Sequence, residues 1–182
     1  MWRLAARSTK IDVVVDDITV IADASPLIGL AAAGEFELLR RLYGTLLVSR
    51  AVLDEVSAGG TRAGARELDA ALREGWIRAA PTPPETWRFP ELGTGEASVL
   101  ALALARRDAL VLMDDAAGRQ QAAALGVSVL DLPGMLLEAK RAGLVERIEP
   151  ILARLARKGF VVPERAAAGV LERAGERDAR AG

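Results

Sequence analysis

Five carboxylates stand where apolar stretches of the chain stop or turn inward. Asp23 follows "ITVIA", Asp114 and Asp115 follow "ALVLM", Glu55 lies in "SRAVLDEVSAG" and Glu96 in "TGEASVLALALARR". The chain has no histidine and no cysteine, which removes imidazole bases, thiolate nucleophiles, disulfides and nitrogen or sulfur metal ligands. Lysine is confined to Lys10, Lys140 and Lys158, which argues against a Schiff base or a Ser–Lys pair. Carboxylate, hydroxyl and guanidinium chemistry remains. Clustered carboxylates repel one another and drift toward protonation unless a cation joins them. Oxygen-only ligands suit a hard divalent ion, Mg2+ or Mn2+, which can activate water and steady the charge on a phosphoryl oxygen.

The spacing decides which acids can meet. Val52, Leu53 and Val56 form a buried stripe at helical period, so Glu55 falls at its border and Asp54 points away. The helix around Glu96 is apolar nearly all round, and Glu96 shares a face with Leu100 and Ala103. Each residue also has a purely structural reading. Ser25 followed by Pro26 suits a helix N-cap and first position, compatible with a site role for the hydroxyl. Glu96 suits a helix N-terminus, Glu55 a solvated edge, and Asp115 with Arg119 an i,i+4 ion pair. Taken one by one these suffice, but they leave unexplained why strand ends and inward helix faces attract one sign of charge.

The elements that must position these acids alternate along the chain. Strands are expected at 18–23, 45–48, 76–79, 109–113 and 127–130. Helices are expected near 26–42 with a break at Gly34, then at 50–57, 62–74, 95–107, 116–124 and 133–142, with two more within 145–174. Ser49, Thr61 and Thr94 stand at N-cap positions, and Gly44, Gly75 and Gly126 where helices should stop. This alternation predicts an α/β fold with a parallel sheet covered by helices on both faces. Ligands bind outside the carboxyl ends of such strands, where Asp23, Asp114 and Asp115 fall. The Pro- and Gly-rich stretch 81–95 reads as an irregular loop, and an edge hairpin is expected around Asp16 and Asp17.

A chain of 182 residues, half of them apolar, suits one core. No run approaches the roughly 20 apolar residues that span a bilayer, so a cytoplasmic protein without membrane contact is expected. From Lys140 onward the net charge is +4, leaving −5 for residues 1–139. Arg147, Arg154 and Arg157 on this basic arm suit RNA approach or an acidic partner. "GTGEAS" resembles a dinucleotide fingerprint but ends in Ser and follows a loop, and no phosphate-binding P-loop occurs.

The ordered motifs "ADASPLIGLAAAG", "LVSRAVLDEV", "LGTGEASVLALA", "VLMDDAAGRQQAAALG" and "GMLLEAKRAGLV" resemble the PIN-domain ribonucleases, most closely a prokaryotic PIN-like subfamily with GEA and DD-x-x-GR motifs. The resemblance covers roughly residues 18–175, leaving 1–17 as an N-terminal extension and 176–182 as a flexible tail. It implies an α/β/α sandwich with a central parallel sheet and added C-terminal helices. It also implies an Mg2+ or Mn2+ site and endonucleolytic hydrolysis of RNA, often by the toxin of a toxin–antitoxin pair as in the VapC-type proteins. RNA, a small cognate antitoxin protein and a second copy of the chain are the partners expected. Carried over, the family's four catalytic acids fall on Asp23, Glu55, Glu96 and Asp115, with Asp114 as a neighbouring metal ligand. Ser25 takes the hydroxyl position beside the first acid, and Arg119 is a candidate phosphate contact. Glu96 stands where many relatives have Asp. A PIN-like binding or regulatory subunit that keeps the acids without cleaving is the alternative.

Overall fold

A computed structural model of the chain describes residues 18–60, 63–106 and 108–176. Five short apolar segments form the strands: β1 (Thr19–Ala22), β2 (Leu46–Ser49), β3 (Ile77–Ala80), β4 (Ala109–Leu112) and β5 (Ser128–Leu130). Each starts and ends within one residue of its expected position. All pair in parallel, in the order β3-β2-β1-β4-β5. Nine α-helices among the described residues flank the sheet as an α/β/α sandwich: α1 (Ala24–Ala32), α2 (Glu37–Tyr43), α3 (Arg50–Ala58), α4 (Ala65–Glu74), α5 (Thr94–Leu104), α6 (Ala116–Ala124), α7 (Leu132–Arg141), α8 (Glu149–Arg157) and α9 (Glu164–Arg173). With helices on the sheet, strands such as β1 lose the alternation of a half-exposed sheet and bury successive residues, Val20, Ile21 and Ala22. Among the described residues no helix is long and apolar enough to cross a membrane.

The chain leaves β1 toward β2 and β3, then crosses to β4 on the other side of β1. Strand order therefore reverses between β1 and β4, and in open parallel sheets such a switch point is where a ligand crevice forms, at the carboxyl ends of the strands. Asp23 continues the ladder there, its amide donating to the Leu112 carbonyl at 3.0 Å. Because β1 runs straight into α1, Asp23 occupies the N-cap with extended backbone (φ −83°, ψ 169°), although its side chain makes no capping bond. Ser25, expected at the cap, lies instead in the first turn and is exposed. Thr94 is likewise the first residue of α5, with Gly93 at its cap. Ser49 caps α3 as expected, and Gly75 ends α4 at φ +81°, a left-handed conformation that glycine adopts without strain. The Thr61 cap and the hairpin around Asp16 and Asp17 lie outside the described residues.

Two other expectations are corrected. The 81–95 stretch holds a 3-10 turn over Pro84–Arg88, started by a proline whose fixed φ suits a first helical position. Part of the basic arm is paired within the fold, while exposed Arg157, Lys158 and Arg165 are in no ion pair among the described residues. Arg154 donates to the Ala33 carbonyl at 2.9 Å and pairs with Glu35, tying α8 to the end of α1, and Arg147 pairs with Glu149. Glu176, expected to begin a flexible tail, is anchored. It accepts bonds from Lys140 Nζ (2.6 Å), Ile148 N (2.7 Å) and Glu149 N (2.9 Å). Burial would raise its pKa, but the Lys140 ammonium and the two amides outweigh it and hold the pKa low.

A buried hydroxyl relay fixes α5 against the sheet edge. Ser98 Oγ donates to the Gly95 carbonyl at 2.6 Å and lies 2.6 Å from Ser49 Oγ, which accepts from Val52 N at 3.2 Å. A hydroxyl has one proton, and Ser98 gives its own to Gly95, so Ser49 must donate to Ser98. One continuous chain thus joins the start of α3, the end of β2 and the first turn of α5. Removing Ser98 would strand the buried Ser49 proton and the Gly95 carbonyl's extra bond. Ser98→Ala should therefore cost about 1–3 kcal/mol in urea unfolding. Exposed, non-capping Ser25→Ala should stay within about 0.5 kcal/mol.

Candidate metal centre

Asp23 is the centre of charge at the crevice. Its side chain is only 3% exposed, and its Oδ1 is buried without a hydrogen-bond partner. A carboxylate taken out of water in this way favours its protonated form. Burial is accordingly the main cause that raises the Asp23 pKa to about 7. The Ala24 amide opposes this, and the charges of Glu96, Glu55 and Asp114 add to it. Glu55, at the exposed rim, has its pKa raised by desolvation and by Glu96. Asp114 is raised by burial, the Asp131 charge adding to it, while the Leu132 amide and Arg119 pull it down.

Two glycines make room for these carboxylates. Neither Gly93 nor Gly95 has a positive φ, so backbone freedom is not what they supply. A Cβ at position 95 would lie 2.7 Å from Glu55 Oε2 and 3.4 Å from Asp23 Oδ1. One at position 93 would collide with the Glu96 carboxylate, which folds back over the start of its own helix. The "GTGE" segment thus acts through missing side chains. The glycine at 95 lets the carboxylates of Asp23, at the end of β1, and of Glu55, on α3, share one gap, and the glycine at 93 leaves room for the carboxylate of Glu96, on α5.

The double aspartate divides its roles. Asp114 Oδ1 accepts from Leu132 N at 2.8 Å, and its charge reaches Asp23. Asp115 is exposed and caps α6, accepting from Gly118 N at 2.6 Å. The family resemblance puts the fourth acid on Asp115; of the two, Asp114 is the one whose charge acts on Asp23. Arg119 pairs with Asp131 at 2.9 Å and not with the Asp115 side chain. Asp131, whose other oxygen caps α7 through Gly134 N at 2.9 Å, was not singled out from the sequence. Its signal is an acid ending an apolar strand just before Leu-Pro, the same pattern that marks Asp23. Ser98 was also missed, since a serine inside an apolar helix reveals no partner.

The residues fit a hard divalent cation. An orphaned buried oxygen, a gap shared by Asp23 and Glu55, and an all-oxygen donor set are what such an ion requires. Among the described residues no three acidic side chains stand close enough to enclose a metal as they lie. Loading therefore needs side-chain rotation, which the exposed Glu55 can make.

The family model described as DUF3368, PIN domain, matches residues 19–176. The chain belongs to this PIN-domain family. No curated protein matches it significantly. PIN domains generally use divalent ions and are typically nucleases, which suggests nuclease activity here in general terms. In this PIN domain the crevice acids are those of the first and fourth strands and of α3 and α5.

Two outcomes test the electrostatics. Because the folded pKa of Asp23 is raised, the metal-free native state keeps a proton that the unfolded chain has already released. Stability should therefore fall as pH rises from about 4 toward 7. In chelator, Asp23→Asn should match wild type below that window and exceed it above, by at most roughly 4 kcal/mol. In Gly95→Ala, the flexible Glu55 carboxylate can swing aside, so denaturant stability should stay within about 1 kcal/mol of wild type. The rise in melting temperature that wild type gains from Mn2+ should shrink, because a ligand raises stability only through native-state affinity. An undiminished rise would show that the gap at Gly95 is not the site.

Proposed function

We propose that the protein is a divalent-metal-dependent endoribonuclease, the toxin of a toxin–antitoxin pair. The observation that carries this reading is the buried, unpartnered Asp23 oxygen facing Glu55 across Gly95. Asp23, Glu55 and Glu96 would hold an Mg2+ or Mn2+ ion, with the Asp114–Asp115 pair supplying the remaining carboxylate. Bound there, the ion supplies Lewis acidity that lowers the pKa of a water and steadies charge on a phosphoryl oxygen. The chain's own contribution is placement. Asp23 is fixed by the sheet ladder, Asp114 by the Leu132 amide, and the first turn of α5, which carries Glu96, by the serine relay. Burial of Asp23 keeps bulk water from screening the charge at the centre of the site.

RNA as substrate, a small antitoxin protein, a homodimer and a cytoplasmic location belong to the same proposal. They rest on the motif resemblance. Purified full-length protein should cleave single-stranded RNA internally with Mg2+ or Mn2+ and not with chelator. Asp23→Asn should lose more than about a hundredfold in rate, the scale of removing a group that stabilises transition-state charge. Metal-independent cleavage, or equal cleavage by the variant, would refute the assignment. RNA binding without any cleavage would instead make the chain a non-cleaving PIN-like subunit.

A further inference from the structure

We infer that Trp87 is a stacking platform for an unpaired nucleobase, holding a single strand beside the acidic crevice. This rests on the nuclease reading and adds to it the part of the substrate that is gripped. Among the described residues, the other aromatic side chains are buried or half-buried, whereas Trp87 is 76% exposed. Its loop leaves the carboxyl end of β3 at Ala80 and enters α5 at Gly93, so it lies along the same sheet edge as the acids. Trp87 precedes Glu96 by nine residues.

The loop is built to present the indole. On one side Thr82 Oγ accepts from Ala51 N at 3.0 Å, which ties the segment to the start of α3. On the other, Phe89 is buried in a second apolar cluster with Ala97, Leu100 and Ala101 of α5 and Ala122 of α6. Pro83 and Pro84 restrict the backbone between these anchors. An exposed tryptophan between two fixed points loses little freedom on contact, and pre-organisation of this kind favours binding.

Charge selects the ligand. The crevice acids repel phosphates, so a strand near them needs an attachment that does not depend on attraction to its backbone. Stacking supplies it, because every base has a π-face and an indole binds it regardless of sequence. Arg50, Arg119, Arg147 and Arg154 are each paired with a carboxylate. Exposed Arg88, next to Trp87, is in no ion pair among the described residues. It can meet the adjoining phosphate. A duplex, whose bases are already stacked, offers no such face.

The test is binding of labelled single-stranded RNA, single-stranded DNA of the same sequence, and the corresponding duplex to the full-length protein in chelator. Trp87→Ala should bind both single strands roughly tenfold more weakly, Trp87→Phe should stay within about threefold of wild type, and duplex binding should not change. Melting temperatures should be unaffected, since the side chain is exposed. In metal, Trp87→Ala should raise KM and leave kcat nearly unchanged. Equal single-strand affinity for Trp87→Ala, or an equal loss on duplex, would overturn the inference. Cleavage by wild type with no binding defect in Trp87→Ala defeats only the platform. Trp87-dependent binding by a protein that cleaves nothing defeats only the nuclease reading.

Discussion

A carboxylate removed from water without a partner costs several kcal/mol, and neighbouring acids add repulsion to that cost. Asp23 carries both burdens at the junction of β1 and α1. A fold under no other demand would place an amide or a hydroxyl there. The arrangement becomes favourable once a cation is present, because the charges that repel one another all attract it. Much of the surrounding structure can be understood as holding this conflict in place.

The sheet supplies rigidity through the ladder that continues past β1 into Asp23. The relay from Val52 through Ser49 and Ser98 to Gly95 ties three elements whose ends face the crevice. Missing side chains at Gly93 and Gly95 leave space that any other residue would fill. The rim is looser by contrast. Glu55 and Asp115 are exposed, so part of the donor set can move while its centre cannot.

The parts of this design written in local sequence were legible. A strand that ends in an acid is visible as an apolar run followed by Asp, which placed Asp23 and Asp114 at the carboxyl edge. Helical periodicity placed Glu96 on a half-buried face and Glu55 at the border of a buried stripe, where its carboxylate is exposed yet lies beside Gly95. What escaped were contacts between distant segments. Asp114 is held by Leu132, 18 residues on, and the arm's Arg154 by Glu35, 119 residues away. Counting charges along the arm therefore could not separate the cations that the fold pairs, such as Arg154, from those it leaves exposed, such as Arg157. The Ser25 cap failed for a local reason: the turn expected between strand and helix is absent, so Asp23 takes the cap position. The loop at 81–95 showed its prolines but not its purpose, because an exposed tryptophan is recognisable only once the other aromatics are seen to be covered.

Asp23 should be half-protonated near neutrality until a cation relieves it. Carbon-13 NMR titration of the Asp23 carboxyl, in chelator and in saturating Mg2+, measures this most directly. The apparent pKa should lie near the value of about 7 set by burial and its neighbours and fall into or below the ordinary carboxylate range when the ion is added. A carboxyl that titrates in the ordinary range without metal, and is unmoved by Mg2+, would contradict this.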